Sequence, residues 1–349
     1  MKIFDVSVSL SFLVFSVIVL SACNGSNTGN TVKIPKGKPS TLTHGSLSLI
    51  SSIKLDNVKG GFDLMDIDVA GQRLFLAAED NHTLEVIDFK NSKLLTSIPG
   101  LNEPKWIVYR PETNRLYVST AGDGKVTILD AITYKPVMSY SFREKCNNLR
   151  YDAVTKQMYV GVGKSFGALG IINCKDDKIT GQIPLADFPK QFELDSNRIY
   201  VNIPSKNVIE VIDRLANKVV AEWTVTESSE NVPMALDKVN HRLFVACEPG
   251  KFIVFNTETG KAVGNIPIHK NADGIYFNRK DSMIYISCGE GFIDIIRQKG
   301  PDNYSLGGNI PTKKGAGTSL YSPEMNRLFL AVPQRENEPA ELRIYTANK

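Results

Sequence analysis

The side chains most able to do chemistry recur about once per repeat: Asp63, Lys105, Asn147, Lys190, Val232, Asp273 and Gly317. Four of these seven are charged. If they face one narrow opening, fixed charges on a low-dielectric wall concentrate field and polar donors there, as the mouth of a small-ligand site requires. Trp106, Asn148 and Gln191 follow directly in the chain, and Arg150 and Glu193 lie deeper in the same segments. Arg150 and Glu193, one repeat apart and opposite in sign, suit an ion pair. A solvated channel whose charges merely pair with one another is the plain structural alternative.

His269 belongs to the stretch His-Lys-Asn-Ala-Asp273 and reads first as a polar loop residue, second as a proton acceptor or ligand contact. The chain has four histidines, His44, His82, His241 and His269, all far apart in sequence, so neither a multi-histidine metal cluster nor another cofactor is expected. P-loop, dinucleotide and Cys-x-x-Cys-His signatures are all missing, and no catalytic residue is assigned. Asp88, Asp130, Asn173, Asp213 and Asn256 also recur. They end apolar runs just before turns, where a short side chain can accept from the backbone two residues on, so they are read as turn caps.

The elements that must position these residues follow from a repeat of roughly 42 residues, a period that suits four-stranded propeller blades. Each unit holds an alternating apolar stretch, a polar turn and then Arg-Leu-Tyr/Phe-Val or a variant, beginning at Arg73, Arg115, Gln157, Arg198, Arg242, Met283 and Arg327. The repeated arginine at this place is also given a structural role. In the second unit the spacing predicts strands at Trp106 to Tyr109, Arg115 to Thr120, Val126 to Asp130 and Val137 to Phe142, here named a to d from the axis outward. Seven c strands can be found, but only six are followed by a d strand. The segment from Leu47 to Leu55 supplies the missing one and is expected to pair beside Leu342 to Tyr345, closing the ring and protecting its edges. The prediction is an all-β, seven-bladed propeller over 46–349.

Cys247 and Cys288 fall in the same register of neighbouring b strands. Packed sheets lie about 10 Å apart, too far for a disulfide. Cys146 and Cys174 are expected on opposite faces, so no disulfide is predicted.

Segments such as PKWIVYRPETNRLYVSTAGDGKVTILDAITYKPV resemble the YVTN-type β-propeller repeat, and NHRLFVACEPGKFIVFNTETGKAVGNIPIH with GTSLYSPEMNRLFLAVP resembles exported YncE-like propellers. The resemblance implies the fold and export. It implies no single activity, because one scaffold hosts many roles.

At the other end, Lys2, an apolar run from Val6 to Leu20 and then Leu-Ser-Ala-Cys23 have the layout of a signal peptide. The last four residues resemble the bacterial lipobox, which implies removal of 1–22 and acylation of Cys23 with palmitate-like chains. Each buried methylene adds roughly 0.8 kcal/mol, so several chains anchor a protein firmly. Residues 23–45 are polar and read as a flexible tether. Asn24, where an inner-membrane retention signal would carry aspartate, favours an outer membrane, with the protein facing the periplasm or the cell surface.

A net charge of +4 spread over 349 residues argues against a nucleic-acid groove. The expectation is a monomeric, lipid-anchored envelope protein that binds or scaffolds an envelope protein, glycan or small molecule through the channel mouth. A lactonase-like hydrolase using Asp63, Glu193, His269 and Asp273 is the alternative.

Overall fold

The computed structural model describes residues 47–226 and 228–348. The expected signal peptide, the expected lipidation at Cys23 and the expected tether over 23–45 lie outside the described residues. Among those described, no helix is long and apolar enough to cross a membrane.

Seven antiparallel sheets of four strands each follow one another around a central axis. Blades 1 to 6 occupy 65–99, 104–141, 146–185, 192–224, 234–267 and 272–311. In the second blade the strands are Pro104–Arg110, Arg115–Thr120, Lys125–Asp130 and Pro136–Ser141, within two residues of the predicted bounds. Val, Ile, Leu and Tyr dominate the b and c strands because both of their faces are covered by neighbouring blades. Outermost strands alternate instead, as in Lys93–Pro99, which presents one face to water.

The seventh blade is assembled from both ends of the propeller. Leu47–Leu55 pairs antiparallel with Ala340–Ala347, running from Leu47 opposite Ala347 to Leu55 opposite Ala340. Ile53 and Leu55 point inward and pack with Leu74, Leu76, Phe89 and Leu342, whereas Leu49 and Ile50 remain exposed. Closure is therefore held by core packing between blades 7 and 1 as well as by ladder hydrogen bonds.

Because each a strand starts at the upper face, the d–a and b–c connections lie above and the a–b and c–d turns below. The caps sit on the lower turns: Asp130 Oδ1 accepts from the N–H groups of Ile132 and Thr133 at 3.0 and 2.7 Å. Asp88, Asn173, Asp213 and Asn256 bond in the same way to residues two or three further on. Arginines tie several lower turns to the neighbouring blade. Arg242 reaches Asp302 at 2.8 Å, and Arg73 pairs with Asp68 at 2.7 Å while donating to Tyr134 Oη. Cys146, Cys247 and Cys288 are buried and Cys174 is half-buried, and all four are free thiols.

Candidate functional site

The upper ends of several a strands are irregular. Register shifts fall between Pro104 and Ile107, between Cys146 and Leu149, and between Ala272 and Gly274. Bulges of this kind re-aim individual side chains. They bracket Lys105, Trp106, Asn147, Asn148 and Asp273.

At the mouth, Lys105 Nζ lies 3.4 Å from Asp63 Oδ2 and also contacts Glu79. Burial works against the Lys105 charge, but Asp63 and Glu79 outweigh it and raise its pKa. Burial and then the field of Asp273 push the Asp63 carboxyl up to about 7, against the opposing pull of Lys105. Asp273 is likewise raised, chiefly by burial, with Thr318, Lys190 and Lys105 opposing. Thr318 Oγ1 lies 3.2 Å from both Asp273 Oδ2 and the Phe62 carbonyl. A hydroxyl has one proton to donate, so Thr318 shares its donor between the Asp273 carboxylate and the Phe62 carbonyl. Gln191 crosses the channel: Nε2 donates to the Asp273 carbonyl at 3.0 Å, and Oε1 accepts from the Met234 N–H at 3.3 Å. Lys190 Nζ stands 5.7 Å from the Phe188 ring centroid.

Below the mouth is a cavity of about 400 Å³ lined by Asp66, Trp106, Arg150, Gln191, Glu193 and Tyr276 together with apolar neighbours. The Arg150 guanidinium stacks 4.2 Å from the Trp106 ring and its Nη2 lies 3.1 Å from Glu193 Oε1. A planar cation held this way keeps its donors in a fixed plane. Both Asp66 oxygens accept backbone N–H bonds, from Ile67 at 2.8 Å and Tyr109 at 2.7 Å. Even so, burial outweighs these bonds and raises its carboxyl to about 6. Tyr276 Oη donates to the Ser319 carbonyl at 2.6 Å, and burial raises its pKa far above the usual phenol range.

Asp63, Lys105, Lys190 and Asp273 therefore fall within one another's electrostatic reach, and Trp106, Arg150 and Glu193 line the cavity beneath. Asn147 and Asn148 are buried and do not line it; the Asn147 carbonyl accepts from Ser119 Oγ. His269 is also set apart. Its ring stacks on Phe292 at 3.8 Å, and Asp294 accepts from its backbone N–H at 2.7 Å and lies 2.8 Å from Nδ1. Phe292 and Asp294 belong to a c strand, two strands or roughly 10 Å outward from the axis. This distance removes His269 from the group of carboxylates with which it was expected to act.

Sequence reasoning missed Asp66, Glu79 and Tyr276. The offset that carries Asn147 to Arg150 and Lys190 to Glu193 also carries Asp63 to Asp66 and Asp273 to Tyr276, so two of the three were within reach. Glu79 stands just past the end of a b strand, Arg73–Ala78, where alignment of a strands does not look.

No family model matches the chain. Over 124 residues it is 29% identical to uncharacterized protein YncE of Salmonella typhi and 28% identical to that of Salmonella typhimurium. Each match covers 35% of this chain and 35% of the relative, so it spans about a third of the curated relatives' length. Among solved structures, Kuenenia stuttgartiensis hydrazine synthase superposes with a TM-score of 0.69 at 17% identity, covering 80% of this chain and 95% of that one. A chain of the mitotic checkpoint complex gives 0.70 at 12% identity, covering 94% and 100%. Likeness at such identities carries the fold and no activity. The chain is a closed seven-bladed β-propeller with a stretch of 124 residues similar to YncE.

Proposed function

We propose that this propeller is a lipid-anchored, monomeric envelope protein that binds a small molecule bearing a cationic group at the upper mouth of its channel. The observation that carries the reading is the surplus of carboxylates there: Asp63, Asp273 and Glu79 stand against Lys105 and Lys190, with Asp66 and Glu193 against Arg150 below. Asp63, Asp66 and Asp273 hold protons more tightly than ordinary carboxyls. A bound ammonium would replace those protons and relieve the cost of burying the charge. The aromatic face of Trp106 and the cavity volume suit a compact ligand. Anchoring through Cys23, with the protein in an outer membrane and facing the periplasm or cell surface, is supported by the lipobox resemblance and by Asn24.

Calorimetric titration with spermidine, choline and glucosamine at pH 8 tests the site. Binding lost in Asp63→Asn/Asp273→Asn supports it, and binding unchanged in that variant places the ligand elsewhere. Incorporation of labelled palmitate, abolished in Cys23→Ser, tests the anchor.

The Asp63 carboxyl at about 7 also favours a second reading, a lactonase-like hydrolase in which Asp63 accepts a proton near neutral pH. Turnover of a lactone panel that disappears in Asp63→Asn would select it over simple binding.

A further inference from the structure

Large apolar side chains exposed to water are distributed unevenly over the propeller. Of the eleven among the described residues, only Phe166 lies on the upper face. Four occupy the tips of lower turns in four successive blades: Ile132, Val154, Leu215 and Val239, exposed by 68, 89, 97 and 51%. The other six sit on the lower halves of outermost strands, Val137 and Val220 among them. Each turn tip has a lysine within three residues, namely Lys135, Lys156, Lys218 and Lys238. Val154 and Leu215 are neighbours in space, because Arg214 of one turn pairs with Asp152 of the other.

The strand that receives the chain from Cys23 starts on this same face. Leu47 pairs with Ala347, and the Ala347 N–H donates at 3.0 Å to the carbonyl of Asn326, in the lower a–b turn of blade 7. Residues 24–46 separate Cys23 from Leu47. A lipidated Cys23 thus holds the lower face within at most about 80 Å of a bilayer. The tether makes docking intramolecular, so weak surface affinity is enough.

We infer that the lower face of the propeller rests on the membrane surface. Ile132, Val154, Leu215 and Val239 enter the boundary between headgroups and acyl chains, and the adjacent lysines meet anionic headgroups. Aliphatic tips flanked by lysine are the chemistry of an interfacial contact, and burying them removes apolar area that none of the described residues covers. The channel mouth then faces away from the bilayer, open to solutes. This orientation rests on the anchoring reading above.

The test uses the full exported chain, purified in detergent and reconstituted into vesicles of phosphatidylethanolamine and phosphatidylglycerol. A bimane fluorophore is placed on Leu215→Cys or Phe166→Cys, with the unsubstituted chain as the blank, and a nitroxide-bearing lipid is the quencher. Mass spectrometry of the Cys23 peptide is read on the same sample. Docking predicts several-fold stronger quenching at 215 than at 166. It also predicts loss of that quenching in an Ile132→Asp/Val154→Asp/Val239→Asp background whose thermal unfolding is unchanged. With Cys23 lipidated, equal quenching or none at either position overturns docking and leaves the anchor standing; in these protein-free vesicles that result would assign the apolar face to a protein partner. An unmodified Cys23 overturns the anchor and the docking together.

Discussion

Replacing Asp63 with asparagine should change the way stability depends on pH. The native Asp63 carboxyl is raised from 3.8 to about 7, so between those values the folded protein binds more protons than the unfolded chain. Stability contributed by this group is present below pH 4 and is lost as pH rises toward 7. From pH 5 to pH 7 the ceiling is about 3 kcal/mol, at roughly 1.4 kcal/mol per pH unit. Asp63 shares its environment with Asp273, and water reaches the mouth, so the realised figure should be about 1 to 2 kcal/mol. Asp63→Asn cannot titrate. The pairing with Lys105 that the variant loses exists only where Asp63 is ionised, and its pull is already contained in the raised pKa, so it adds no separate pH-dependent offset. Urea unfolding at pH 5, 6, 7 and 8 should show the variant gaining about 1 to 2 kcal/mol relative to the wild type across the series. Parallel curves would refute the claim that Asp63 is held protonated by burial and Asp273.

Ile53→Ala, at a position 2% exposed in the closing strand, should cost about 2 to 4 kcal/mol, while Leu49→Ala in the same strand should change the urea midpoint little. Arg150→Met removes both the stacking on Trp106 and the partner of Glu193. It should cost about 1 kcal/mol in stability and, by leaving Glu193 unpaired, tighten cationic ligands in fluorescence titration of Trp106. Gly167→Ala places a methyl 1.8 Å from the Asp187 carbonyl oxygen; the backbone must move, at about 2 kcal/mol or more by thermal unfolding. His269→Gln should leave channel binding unaltered, because its partners are Asp294 and Phe292.

The ring was legible because blade packing imposes the same demands at each repeat: β-branched b and c strands, capped lower turns and an unmatched seventh c strand that only Leu47 to Leu55 could cover. The site was legible where it follows the strands, as with Asp63, Lys105, Asp273 and the Arg150 to Glu193 pair. It was not legible where a local irregularity decides direction. The shift between Cys146 and Leu149 takes Asn147 and Asn148 into the wall, although they align with Lys105 and Trp106, which a similar shift leaves at the mouth. His269 has the right face and the wrong radius, which depends on Phe292 and Asp294 more than twenty residues away.

Surplus carboxylates at the channel mouth make it a cation site under the function proposed above. Calorimetry of spermidine binding in buffers of different ionisation enthalpy, at pH 6 and pH 8, tests it most directly. Binding should be tighter at pH 8 and should release close to one proton per ligand at pH 6, with both effects lost in Asp63→Asn/Asp273→Asn. Binding that is independent of pH and of these two residues, or no binding by any cationic ligand, would contradict it.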